Sequence, residues 1–293
     1  MIINSATLSQ FFIAMSAAFK NGFDTAESQY EQIAMTVPSS TSANAYPWLG
    51  ALPSMREWIG DRVIGNLKTH KYTIENKGFE TTVSVARNDI EDDQLGIYTP
   101  MFADLGAQAK IHANRLVFGA LQQGHEMPCY DGQYFFDADH PVCDKSVSNS
   151  LGDDSAAPWY LLCTKRPVKP VIFQKRREYI LTALDAISDI NVFMRGEYVY
   201  GVDARVNVGY GLWQCAVRST SALDADSYAA ARAAMRGFTN DNGDPLGIVP
   251  DLLVVPSTHE AAGLRLVKNQ LAAGGGNNEW YNSAELLVSP WLV

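Results

Sequence analysis

The chain has no run approaching the ~18 apolar residues that a membrane-spanning helix needs. Its apolar N-terminal stretch, Leu8 to Phe19, lacks the basic start and cleavage context of a secretory leader. Neither a membrane partner nor export is expected. Cysteine is sparse: Cys129, Cys143, Cys163 and Cys215 are all that 293 residues offer, too few for a dense disulfide framework. Free thiols in a reducing compartment are therefore expected. Positive charge is also short, because 23 Lys and Arg face 32 Asp and Glu and leave a formal net charge of −9. That balance argues against a protein that works by gripping phosphates, since such affinity rests on cations. It does not exclude one that encloses nucleic acid without adhering to it.

Catalytic signatures are missing as well. Gly209-Tyr210-Gly211 lacks the third glycine and the following helix of a dinucleotide turn, and no Gly-Lys-Ser/Thr follows the glycines between Ala273 and Asn278. Asn240-Asp241-Asn242-Gly243-Asp244 resembles the start of a calcium loop, but the bidentate glutamate is absent and Pro245 follows. The acidic run Asn88 to Asp93 reads as a solvated turn whose carboxylates favour a nearby helix N-terminus, in preference to a cation site. The densest polar chemistry lies between His125 and Asp144. There His125, Cys129, His140 and Cys143 are ligand types that zinc accepts, so a zinc-dependent hydrolase is one alternative function. The spacing fits no standard finger, and Tyr134-Phe135-Phe136 between the pairs reads as a buried strand among ordinary turns. A small-molecule binding module in residues 222–292 is a second alternative. No catalytic residue, cofactor or metal is assigned.

What is present suits a large core, with 47% apolar residues and a length that suggests roughly two domains. Leu8, Phe11, Phe12, Met15, Ala18 and Phe19 recur at helical spacing over Thr7 to Gly22, and this amphipathic helix must dock somewhere. Val37 to Pro53 has no period and carries Tyr46, Trp48 and Leu49 as anchors. Arg62 to Ile74 and Phe79 to Arg87 read as two strands of a hairpin reversing at Glu75-Asn76-Lys77-Gly78. In the second strand Phe79, Thr81, Val83 and Val85 alternate with polar or small residues, so one face is expected to rest on a partner surface. From Pro100 a helix runs to about Gln123, about 36 Å at 1.5 Å per residue, and His112 on it reads as an exposed or satisfied neighbour in preference to a ligand. Ser146 to Ala157 reads as a mobile surface loop. Antiparallel strands are expected over Trp159–Cys163, Pro170–Leu181, Asn191–Tyr200 and Val202–Val217, broken at Gly201. Lys175-Arg176-Arg177 reads as a solvated strand edge. From Ala222 the pattern turns α/β, with Asp224 or Asp226 capping one helix, Ser257 capping another over Thr258–Gln270, a buried strand at Asp251–Pro256 and a last strand near Leu286.

Taken together, these segments resemble the Mu-like prophage major head subunit family, gpT. The residues that carry the likeness are Phe79 to Asp93 with Gly96-Ile97-Tyr98, then Cys129-Tyr130-Asp131-Gly132-Gln133 with Phe135-Phe136 and Asp139-His140-Pro141. Val199 to Arg205 with Gly209-Tyr210-Gly211, and Pro250 to Pro256, extend it over most of the chain. The resemblance implies an α+β, HK-ninety-seven-like capsid fold. Residues 1–53 would be the N-terminal arm, 54–89 the extended β-hairpin called the E-loop, and 90–221 the peripheral (P) domain with the spine helix and an antiparallel sheet. Residues 222–293 would be the α/β axial (A) domain, its last strand free to return to the P domain. The implied function is a major capsid protein, not an enzyme. It would self-assemble as hexamers and pentamers into the icosahedral shell of a tailed phage, in the bacterial host cytoplasm, around double-stranded DNA bound without sequence specificity. Implied partners are a separate scaffold, a maturation protease, a portal protein and a decoration protein. Expected subunit contacts are Phe11, Phe12 and Met15 on the arm helix, Tyr46, Trp48 and Trp58 as apolar anchors, and Arg62, Lys68, Lys71, Lys77, Glu80 and Arg87 on the hairpin. Deleting Leu67 to Lys77 is then expected to spare the subunit's fold and abolish the shell.

Overall fold

A computed structural model describes residues 5–50, 72–92, 96–153, 155–272 and 274–292. The N-terminal helix is α1 (Ser5–Thr25), followed by the single turn α2 (Tyr30–Ile33) and strands β1 (Ala34–Pro38) and β2 (Ala43–Ala45). After a stretch outside the described residues come β3 (Thr73–Glu75), β4 (Lys77–Ala86) and the short helix α3 (Arg87–Asp92). The spine helix is α4 (Thr99–Gln122), with Pro100 in the first turn where its missing N–H has no partner to lose. Small strands β5 (His140–Val142), β6 (Lys145–Val147) and β7 (Ser150–Leu151) lead to β8 (Trp159–Leu162). The long strands β9 (Val171–Leu184) and β10 (Glu197–Tyr210) flank a short helix, α5 (Ile190–Arg195). The remainder is β11 (Ala216–Ser219), α6 (Ala225–Arg236), β12 (Leu252–Pro256), α7 (Glu260–Gly263) and β13 (Glu285–Ser289).

Two sheets carry the architecture. The first runs β1-β9-β10-β4, with β10 antiparallel to both β9 and β4 and β1 parallel to β9. Helices α1 and α4 cover it, burying Leu8, Phe11, Met15, Phe19 and Phe102 against Tyr198, Tyr200 and Val202. Two glycines let the helices touch backbone to backbone. A Cβ on Gly22 would lie 1.9 Å from the Ala103 carbonyl oxygen, and one on Gly106 would lie 2.0 Å from that of Phe19. Only glycine fits either place. The second sheet runs β13-β12-β8-β11-β7. Every residue of β8 and of β12 is buried, which is why both read in sequence as unbroken apolar runs. Helix α6 starts from a reciprocal capping box between Asp224 and Ser227, as one of the two expected caps.

Several expectations change. Strands β7, β8 and β11 belong to the sheet of β12 and β13, so the line drawn at residue 221 does not separate the two sheets. The last strand pairs parallel with β12. Gly201 does not break a strand; β10 passes through it because ladders on both sides, to Thr82 and to Thr182, hold its backbone extended. Residues 190–195 are helical, not extended, and the turn ends at Gly196 with φ 65°. Ser257 is not the cap; the chain after β12 winds through a 3-10 turn, α7 and a wider π turn, with Pro256 and His259 in the capping positions. The stretch 146–157 is tied down by Asn149, which is fully buried and donates to the carbonyls of Phe135, Trp213 and Ala216.

Candidate functional site

The largest departure concerns the hairpin. Strand β4 pairs with β10 from Lys77↔Val206 to Ala86↔Glu197, while β3 pairs with β2 from Ala43↔Glu75 to Ala45↔Thr73. The two strands thus do not pair with each other across Glu75 to Gly78, and neither Asn76 nor Gly78 takes the positive φ of a tight reversal. β3 and β4 are instead consecutive lengths of one extended run that changes partner at Asn76. The predicted alternation on β4 holds in part: Val85 is buried and Phe79 and Val83 are half-buried, but Thr81, expected on the same face, is exposed like Glu80, Thr82, Ser84 and Ala86.

Ladder β2–β3 brings together the two ends of the stretch 46–72, and a buried polar knot locks it. Gln174, fully buried on β9, accepts a hydrogen bond from the Tyr46 hydroxyl at 2.8 Å. Its amide nitrogen donates to the Ile74 carbonyl at 3.0 Å and to Asn76 Oδ1 at 2.8 Å. Asn76 in turn donates to Ser39 Oγ and the Thr41 carbonyl. The Tyr46 N–H donates to the Tyr72 carbonyl at 2.8 Å, and the Tyr72 hydroxyl accepts from the Tyr210 N–H at 2.7 Å. Burial pushes the Tyr72 phenol up to about 12, so it stays neutral. Every buried polar group named here has a partner, which makes the root rigid. It also overturns the expected tolerance to deletion of 67–77, since that cut removes all of β3 and the buried Ile74.

The proposed contact residues separate accordingly. Trp58, Arg62, Lys68 and Lys71 lie outside the described residues. Tyr46 is buried in the root, whereas Trp48, its edge-on ring neighbour, is 41% exposed. Phe11 and Met15 are buried within their own chain, Phe11 beside the Tyr200 ring at 6.1 Å, because the arm helix docks on α4; Phe12 is half-buried in the same cluster. These residues are core, not a free surface. Lys77 and Glu80 are exposed on β4 and Arg87 is half-buried at the start of α3. On β9, Lys175 pairs with Glu178 at 2.8 Å and Arg177 with Asp203, as a solvated strand would have it. His112 contacts the Tyr179 hydroxyl at 2.9 Å and the Phe79 ring, and burial lowers its pKa.

The four proposed zinc ligands do not converge. His125 is exposed and bonded to the Gln122 carbonyl, and Cys143 is exposed against the Asp241 carbonyl. Cys129 and His140 do meet, on Asp131, a residue the sequence reading had not placed between them. The Cys129 thiol donates to Asp131 Oδ1 at 3.0 Å, and His140 Nδ1 lies 2.8 Å from Asp131 Oδ2. His140 Nε2 faces Asn149 Oδ1 at 3.2 Å, and its ring stacks on Trp213 at 4.0 Å. Every ligand atom is already engaged by a neighbour, so the cluster is a satisfied hydrogen-bond chain that pins the 125–149 segment to the core. Burial pushes the Cys129 thiol up, so it stays protonated and donates to Asp131. Two surface depressions, one lined by Asp89, Asp92, Ile97 and Tyr98 and the other by Gln122, Ala157, Tyr160 and Leu292, lack the enclosed apolar walls with converging polar groups of a small-molecule site.

The surface therefore holds the functional interest. The model of the Mu-like prophage major head subunit gpT matches residues 8–292. The chain belongs to that family. This gpT chain is 40% identical to the major capsid protein of Escherichia phage Mu, over the whole of both chains. It superposes on a chain of the procapsid of bacteriophage JBD30 with a TM-score of 0.89 and 42% identity, covering 99% of this chain and 100% of that one. A chain of the JBD30 capsid decorated with minor capsid protein trimers aligns at 0.80 with 33% identity, covering 92% of each. The gpT chain is thus a tailed-phage major capsid protein with an HK-ninety-seven-like fold, a structural protein and not an enzyme. Neither alternative function is supported.

Proposed function

We propose that this gpT chain tiles a closed phage head as hexamers and pentamers, with residues 46–72 as the E-loop that lies over a neighbouring subunit. The observation that supports this is the locked root: Gln174 bonds to Tyr46, Ile74 and Asn76 and so holds the two flanks of that stretch side by side. The proposed contact residues are Trp48, Trp58, Arg62, Lys68 and Lys71 in that stretch, together with Lys77 and Glu80 on β4 and Arg87 at the start of α3. The formal charge of −9 suits a container that repels packed phosphates instead of trapping them. A separate scaffold, a maturation protease, a portal and a decoration protein complete the head in this reading, with assembly in the host cytoplasm and the virion as destination. The arm, P and A regions follow the sheets, with residues 150–219 contributing to both. The test is a deletion of residues 52–70 joined by a short Gly-Ser linker, which spares β2, β3 and the knot. The variant is expected to fold with unchanged circular dichroism and to form no shells. Normal shells from it would refute the overlap role.

A further inference from the structure

Two of the four thiols face each other inside the second sheet. The β8–β11 ladder runs from Ser219↔Trp159 to Ala216↔Leu162, and one step further the Cys163 N–H donates to the Cys215 carbonyl at 2.9 Å. A bonded antiparallel pair sets its Cα atoms about 5.5 Å apart, within the roughly 4.4–6.8 Å that a disulfide spans. Both residues are buried, 3% and 0% exposed, and their thiols lie within hydrogen-bond reach of each other. The Cys215 thiol donates, which holds the Cys163 thiol below its ordinary value, while that same bond and burial hold Cys215 up. Arg166 borders both sulfurs and favours either thiolate, and its Nη1 is buried without a hydrogen-bond partner among the described residues. Asp251, engaged by Thr164, opposes it at Cys163. A cysteine that shares a proton with a second thiol beside a cation is disposed to oxidise, as an isolated buried thiol is not.

We propose that Cys163 and Cys215 are an oxidisable dithiol that closes to a disulfide and staples β8 to the start of β11 within each subunit. The co-reactant is a small hydroperoxide, and hydrogen peroxide is compact enough to reach a buried sulfur through local opening of the fold. The Cys163 thiolate attacks one peroxide oxygen as the O–O bond breaks, giving a sulfenic acid and a hydroxide that takes up the thiol's proton. The Cys215 sulfur then attacks the Cys163 sulfur. The S–S bond forms as the S–O bond breaks, and the leaving hydroxide takes the Cys215 proton. Two thiols and one peroxide thus become one disulfide and two waters. The bridge closes the chain around the whole of β9, α5 and β10. A cross-link over so long a loop stabilises by restricting the unfolded chain. On the capsid reading above, the subunit assembles reduced and gains the staple after the head leaves a reducing cytoplasm.

The test is mass mapping of the chain carrying Cys143→Ser, which removes the exposed thiol, as free subunit and as shells after hydrogen peroxide and without reductant. Expected are a chain lighter by two hydrogens and a linked peptide pair that holds Cys163 and Cys215. The melting temperature is expected to rise by about 5 °C over the reduced protein and to return with dithiothreitol. With Cys215→Ala added, peroxide is expected to leave Cys163 as a sulfenic acid that dimedone traps. Free Cys163 and Cys215 after peroxide, or a bridge from either to Cys129, would overturn the dithiol. The free subunit carries the whole site, so a failure to form shells would count against the capsid reading alone.

Discussion

The Tyr46 hydroxyl donates to Gln174 Oε1 at 2.8 Å across 128 residues of sequence, tying the residue that follows β2 to β9. Gln174→Leu fills the space but strands the Tyr46 hydroxyl and the Ile74 carbonyl. Leaving two buried polar groups unpaired costs about 3 kcal/mol in all. Urea unfolding is expected to show that loss, and hydrogen exchange is expected to speed up at Ala43–Ala45 and Thr73–Glu75 before the rest of the sheet. Uniform protection in the variant would mean that the knot does not hold the root.

The α1–α4 crossing depends on Gly22 and Gly106. In Gly106→Ala the new methyl meets the Phe19 carbonyl, so α1 must lift from the sheet or the helices must shift, at ~3 kcal/mol for overpacking of this kind. Limited proteolysis is expected to cut the variant within residues 5–25 while the native protein resists there.

Asp131 links acid stability to the Cys129–His140 cluster. Burial alone would raise its pKa, but the bonds from His140 and Cys129 outweigh burial and hold it below the ordinary 3.8. A depressed folded-state value means that the stabilisation is complete above the unfolded value and is lost as pH falls through the folded one. Native stability is therefore expected to decline from about pH 4 downward, and Asp131→Asn to be weaker at neutral pH with a flatter acid limb. Denaturant melts across that range check both.

Thiol chemistry separates the cluster from the zinc alternative. Cys143 is exposed and Cys129, Cys163 and Cys215 are buried. One thiol of the folded protein is expected to react promptly with a disulfide reagent, and four after unfolding. Chelator is expected to change neither count. Stoichiometric zinc, released together with newly reactive Cys129, would reopen the metal reading.

Much of this fold is legible in the sequence because burial imposes period. The alternation of Phe79, Val83 and Val85 follows from β4 lying on α4, and the helical spacing of Leu8, Phe11 and Met15 follows from docking on one face. What the period does not carry is the partner. Glu75 to Gly78 has turn residues, yet long-range pairing to β2 and β10 pulls the backbone straight through it. Gly201 stays extended for the same reason, and Asp131 is not legible as a junction because Cys129 and His140 meet on it only in the folded chain. Phe11 and Met15 are expected from the sequence as contacts to another subunit and are instead buried within their own chain, because a sequence shows an amphipathic face without showing which chain covers it.

The central claim is tested most directly by the size of the purified 293-residue chain, measured by light scattering with negative-stain microscopy, alone and co-expressed with the proposed scaffold. Closed, uniform shells are the predicted result. A single monodisperse species near 32 kDa under every condition would contradict the account.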